Sequence, residues 1–94
     1  MKIKVNLLAA YRLIADTKEM ILEVPEGETV NGVVARVVKL FPKLRQHWMD
    51  DRGELYVHLH IYINKDDVNT LPLKLDTPVK ENDEIDFIPP VVGG

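Results

Sequence analysis

Val30, Val33, Val34, Val37, Val38 and Phe41 recur at the spacing of one helix face, while Asn31, Arg36 and Lys39 fall off it. Thr29 stands where an N-cap belongs, and Pro42 stops the run near Phe41, with room for a further turn through Leu44. This stripe is what most limits the fold. A lone helix cannot bury its own apolar face, and 94 residues hold one domain. The helix must therefore lie across a sheet. Valine is a weak helix former, and Gly32 costs about 1 kcal/mol against alanine. Packing must override both, at about 1.5–3 kcal/mol for each buried side chain.

The remaining residues supply the sheet. Ile3, Val5 and Leu7 alternate with Lys2, Lys4 and Asn6, the pattern of a half-buried strand. Ala9 to Ala15 reads as a short helix or tight loop, and Asp16-Thr17-Lys18 as a turn. Glu19 to Val24 is a second strand, forming a hairpin with the first and broken by Pro25-Glu26-Gly27-Glu28. Arg45 to Glu54 reads as a connector with a turn at Asp50-Asp51-Arg52-Gly53. Within it Trp48 and Met49 act as a lid over one end of the core. Leu55 to Asn64 is predicted as the strongest strand, Val57, Leu59, Ile61 and Ile63 alternating with Tyr56, His58, His60 and Tyr62. Lys65 to Asn69 is a polar loop, and Leu71 to Leu75 a short edge strand limited by Pro72. After a turn at Glu81-Asn82-Asp83, the final strand Glu84 to Ile88 lies beside the first, in parallel. The expected fold is α+β: a mixed sheet of four to five strands with one main helix packed across it. The domain occupies residues 1–90, and 91–94 form a flexible tail.

That tail, Val91-Val92-Gly93-Gly94, carries the chemistry. Two residues without side chains are thin enough to enter a narrow channel. Pro89 and Pro90 fix φ and donate no hydrogen bond, so they end the last strand and send the chain out extended. From Pro90 to Gly94 the reach is about 16 Å at ~3.3 Å per residue. A slim carboxylate on a stiff stem suits a chain whose terminal Gly94 is the reacting group.

Other chemistries have little support. There is no cysteine and no serine, which excludes a disulfide scaffold, a thiolate zinc site and a Cys or Ser nucleophile. His58 and His60 on one strand face are a possible metal pair, but no third ligand accompanies them, and they read as an ordinary polar face. No phosphate-binding loop, dinucleotide fingerprint or flanked acid–base pair is present, and so small a chain leaves little room for a 300–1,000 Å³ pocket. The formal charge of -3 argues against nucleic acid. The charged start and the lack of a long apolar run lead to an expectation of a soluble, cytoplasmic protein that enters no membrane, and since nothing demands a self-interface the free chain is expected to be a monomer.

A hairpin, a crossing helix and a last strand leading to a protruding tail make the ubiquitin-like β-grasp arrangement. Phe87-Ile88-Pro89-Pro90-Val91-Val92-Gly93-Gly94 and the run Leu75 to Ile85 resemble the MoaD group of small β-grasp sulfur carriers. Gly53-Glu54-Leu55-Tyr56 and the following strand resemble its archaeal branch, which includes the small archaeal modifier proteins. Relatives often carry Asn-Gly where this chain has Asn64-Lys65, Gly-Asp where it has Asn82-Asp83, and an aromatic where it has Leu8. The first two differences touch turn geometry, and the third touches partner contact.

The resemblance implies a function. A ubiquitin-activating-type enzyme, supplying ATP and magnesium, adenylates Gly94; the chain itself binds no cofactor and is not an enzyme. Sulfur then gives a thiocarboxylate, used with a larger molybdopterin-synthase subunit, or a protein lysine gives an isopeptide bond. Gly93, Val92, Val91, Pro90 and Pro89 are the recognised tail. Leu8 and Ile88, off the core side of their strands, form a docking patch with Arg12 as a candidate contact. The acidic run Asp76, Glu81, Asp83, Glu84 and Asp86 is a solvated face or a steering surface for a basic activating enzyme. The alternative is a non-catalytic interaction domain with an inert tail.

Overall fold

Strand β1 (Lys2–Leu7) buries Ile3, Val5 and Leu7 and turns Lys2, Lys4 and Asn6 away from the core, as its alternation requires. The computed structural model describes residues 1–90. After β1 comes a short helix, α1 (Ala10–Ala15), ended by Asp16 in the left-handed region at φ 53°. Strand β2 (Glu19–Glu23) pairs antiparallel with β1, and α2 (Val30–Leu40) follows. A 3-10 turn at Pro42–Leu44 leads into α3 (Arg45–Trp48). Strands β3 (His60–Ile63), β4 (Asp66–Asp67) and β5 (Glu84–Ile88) complete one five-stranded sheet in the order β2-β1-β5-β3-β4. The central pair β1–β5 is parallel, with Val5 opposite Ile85 and Leu7 opposite Phe87. Its neighbours β2 and β3 run antiparallel. This is the β-grasp fold: Val30, Val33, Val34 and Val37 of α2 pack into one core with Ile3, Val5, Leu7, Ile85 and Phe87. No described helix is long and apolar enough to cross a membrane.

Three segments differ from the sequence reading. Arg45–Trp48 is helical rather than part of a connector, and Trp48 is a fully buried core residue rather than a lid. The long strand begins only at His60. Leu55 bridges Met49, the Tyr56 N–H donates to the Trp48 carbonyl at 2.9 Å, and the Leu59 N–H closes a turn on the Tyr56 carbonyl. Residues 55–59 are thus drawn back over Trp48, which puts Val57 at a turn tip with 98% exposure. His58 lies in that turn, so it shares no strand face with His60. Leu71–Leu75 forms no strand: the Leu71, Lys74 and Asp76 N–H groups bond back to the Val68, Leu71 and Leu73 carbonyls. The edge strand is β4, made by the tight turn at Asn64 (φ 50°) and Lys65 (φ 73°). Two successive left-handed residues are what a two-residue hairpin turn needs.

The start of α2 explains Gly32. Thr29 caps the helix, its Oγ1 accepting the Gly32 N–H at 3.2 Å. Glu28 folds over the same turn, accepting the Thr29 N–H at 3.1 Å and the Arg36 Nε–H at 2.6 Å. The Arg36 guanidinium holds the Glu28 carboxyl below the usual carboxylate range. A methyl on Gly32 would collide with that carboxylate. Gly32→Ala alone is therefore expected to gain less than the ~1 kcal/mol of its helix propensity, and the full gain should emerge in a Glu28→Ala background. A urea-denaturation double-mutant cycle checks this; equal gains in both backgrounds would contradict it.

Candidate functional site

The end of β5 meets the end of β1 at the base of the tail. Beyond β1, the Leu8 N–H donates to the Phe87 carbonyl at 3.1 Å, which ties Leu8 to the last strand. Contrary to the expectation that so small a chain has little room for a hollow of about 300–1,000 Å³, a groove of about 690 Å³ runs along this junction, open at the surface rather than enclosed. Leu8, Ile88, Pro89 and Pro90 give it an apolar floor, and Arg12, Lys18 and Lys65 stand around it. Leu8 is 36% exposed, Ile88 and Pro89 are half-buried and Pro90 is exposed. The structure thus brings together Leu8, Arg12, Ile88, Pro89 and Pro90. Val91, Val92, Gly93 and Gly94 lie outside the described residues.

A second depression of about 540 Å³ lies across the diproline, lined by Ala10, Tyr11, Ile14, His47 and His58. Ala9 borders both hollows. Its backbone sits at φ 48°, ψ −124°, and the Tyr11 N–H closes the turn on the Leu8 carbonyl at 3.1 Å. Glycine favours that conformation; alanine there costs about 1–3 kcal/mol and is held only by its surroundings. Burial raises the pKa of the nearby Tyr11 hydroxyl.

Polar order supports the groove from the open sheet face. Parallel pairing sets Asn6 beside Asp86 and Lys4 beside Glu84. The Asn6 amide donates to Asp86 at 2.7 Å and to Glu84 at 2.9 Å. Lys65 donates to Asp86 at 3.1 Å and pairs with Glu84 at 3.5 Å. The Asn6 bond is the leading cause of a lowered Glu84 pKa, and the Asp86 bond of a raised Lys65 pKa. Buried Asp86 is therefore satisfied by two donors, as a buried charge must be. The acidic run is not one free face. Glu81 accepts the Lys2 N–H, and Asp83 accepts the Lys80 N–H and the Asn64 amide.

Sequence reasoning missed Lys18, Lys65 and the Asn6–Asp86 pair. The alternation of β5 with its parallel partner β1 carried the signal for the last. His58 Nε2 lies 3.2 Å from the His47 carbonyl, and its ring stacks on Tyr56. Among the described residues, no three His, Asp or Glu side chains are grouped to hold a metal.

A β-grasp domain whose last strand delivers a diproline stem beside a groove defines a ubiquitin-like carrier or modifier. Comparison with known proteins is specific on this point. The ThiS family model matches residues 5–94, and the chain belongs to that family. It is similar to SAMP1 from Haloferax volcanii, at 26% identity and TM-score 0.89 over 100% of both chains. It is also similar to small archaeal modifier protein 1 from Methanosarcina acetivorans, at 33% identity and TM-score 0.83 over 99% of this chain and 96% of that one. A chain of the Amycolatopsis orientalis BexX/CysO complex shares the fold, at 22% identity and TM-score 0.75 over 98% of this chain and 99% of that one. No curated protein matches.

Proposed function

We propose that the chain is a carrier and modifier, not an enzyme, whose Gly94 carboxylate is adenylated by a ubiquitin-activating-type partner. The observation that carries this reading is the meeting of Pro89 and Pro90 with Leu8 and Ile88 in one groove at the base of the tail. A partner seated there receives the tail from a fixed origin. The family match through residue 94 supports the role of the terminal glycines.

The chemistry follows from the carboxylate's weakness as an electrophile. One oxygen of Gly94 attacks the α-phosphorus of ATP, and magnesium pyrophosphate leaves. The resulting mixed anhydride has AMP as a good leaving group. Sulfide-level sulfur, as hydrosulfide losing its proton, forms the C–S bond as the C–O bond to AMP breaks, giving a thiocarboxylate, which serves a sulfur-accepting enzyme such as a molybdopterin synthase. A lysine amine of a target protein, losing a proton, displaces AMP to give an isopeptide bond. ATP, magnesium and acid–base groups belong to the partner. The reaction sits in the cytoplasm, and the free chain is a monomer that engages neither membrane nor nucleic acid.

Intact-mass analysis of the protein from its own cells tests the sulfur route: sulfur in place of one oxygen shifts the mass by their difference. Gly-Gly remnants on lysines of larger proteins test the conjugation route. Neither product, with the activating enzyme present, would favour an interaction domain with an inert tail.

The docking floor makes a separate prediction. Leu8→Asp and Ile88→Asp are each expected to weaken binding to the activating enzyme roughly tenfold or more, since an interface anchor is worth upwards of ~1–2 kcal/mol. Calorimetric titration measures this, with thermal melts confirming the fold. Unchanged affinity in both folded variants would remove the groove as the docking surface.

A further inference from the structure

We infer that the partner element seated in this groove is an apolar anchor flanked by carboxylates, which meet Arg12 and Lys18. The inference rests on the groove being the docking surface proposed above, and it names the chemistry of what docks.

The chain carries a formal charge of -3, yet this groove is cationic. Its lining holds three basic side chains and one carboxylate, Asp86. Lys65 is already committed to Asp86 and Glu84. Arg12 and Lys18 differ: among the described residues neither has a carboxylate within ion-pair distance. Asp16 shares an adjoining hollow with both and pairs with neither. The two cations are nevertheless anchored through their backbones. The Arg12 carbonyl accepts the Thr17 N–H at 3.2 Å, and the Lys18 carbonyl accepts the Leu7 N–H at 2.8 Å. Two uncompensated positive charges thus face an apolar floor.

Acidic residues around an apolar anchor complement both features. A basic partner surface would meet like charge at the rim, which costs specificity and association rate. Of the acidic run only Asp86 lines the groove, and it is paired there by Asn6 and Lys65; Glu81 and Asp83 accept backbone N–H groups away from it.

ATP–pyrophosphate exchange by the adenylating enzyme of the same cells, with this chain as substrate, tests the inference. The comparison is between the unaltered chain, Arg12→Glu/Lys18→Glu, and Lys39→Glu/Lys43→Glu. The last pair lies on the exposed face of α2 and the turn after it, and it makes the same change in net charge away from the groove. At low salt the groove double variant should lose roughly 10–100-fold in kcat/KM through slower association, while the α2 pair should change little. The deficit should shrink as added salt shortens the screening length from about 30 Å toward 3 Å. Equal losses in the two variants would reduce the effect to net charge and overturn the inference. So would a groove variant that exchanges like the unaltered chain, and the docking proposal would then still stand. Loss of binding to a poly-U RNA, with exchange intact, would assign the cations to nucleic acid instead. No exchange by the unaltered chain would overturn the proposed function and this inference together.

Discussion

Trp48→Ala is expected to remove about 3–5 kcal/mol of stability, a large share of the ~5–15 kcal/mol available to a domain of this kind. Trp48 is fully buried, stacks on Phe87 at 4.5 Å and 19°, and meets the Tyr11 ring edge-on at 5.5 Å. One side chain therefore joins α3, α1 and β5. Removing it leaves a cavity walled by Phe87 and Tyr11. The indole Nε1 has no hydrogen-bond partner among the described residues. A buried unpaired donor costs about 1–3 kcal/mol, so Trp48→Phe, which keeps a stacking ring and discards the donor, should lose much less than the alanine variant. Urea denaturation monitored by circular dichroism gives both values. An alanine variant within ~1 kcal/mol of the unaltered chain would contradict the packing described, because that is the range of surface changes. So would a phenylalanine variant as unstable as the alanine one.

The sequence made the sheet centre and the main helix legible because their signals are local. Alternation in β1 and β5 and the valine stripe of α2 each fix a buried face within a few residues, and the Thr29 cap marks a boundary directly. Leu55 to Leu59 failed for a tertiary reason. Its alternation suits a strand, but bonds to Trp48 and Met49 draw the backbone into a turn, and nothing within the segment encodes them. Leu71–Leu75 failed because two apolar side chains flanking Pro72 fit a 3-10 coil as well as an edge strand. At the site, Leu8, Arg12, Ile88 and the diproline stood out in sequence, whereas Lys18 and Lys65 did not. Lys18 reaches the groove through its backbone bond with Leu7, and Lys65 through the β3–β5 pairing that carries its turn to Asp86, contacts between residues apart in sequence. The acidic run looks uniform in sequence, yet Glu81 and Asp83 are set apart by the backbone N–H groups and the Asn64 amide that fold against them.

Addition of one residue after Gly94 is expected to abolish activation while leaving the domain folded. The added residue moves the carboxylate by about 3.3–3.6 Å and puts it on a residue that can carry a side chain. A displacement of ~1 Å at a reacting group can cost about 10²-fold, so a shift of this size should leave exchange at background. The core residues among those described, from Ile3 to Phe87, all precede the tail in the chain, so the melting temperature is expected to stay the same. The direct measurement is ATP–pyrophosphate exchange by the activating enzyme with the unaltered chain and with a Gly94-extended one, each checked by a thermal melt. Exchange with the first and none with a folded second is the predicted result; undiminished exchange with the extended chain would contradict the assignment of Gly94 as the activated group.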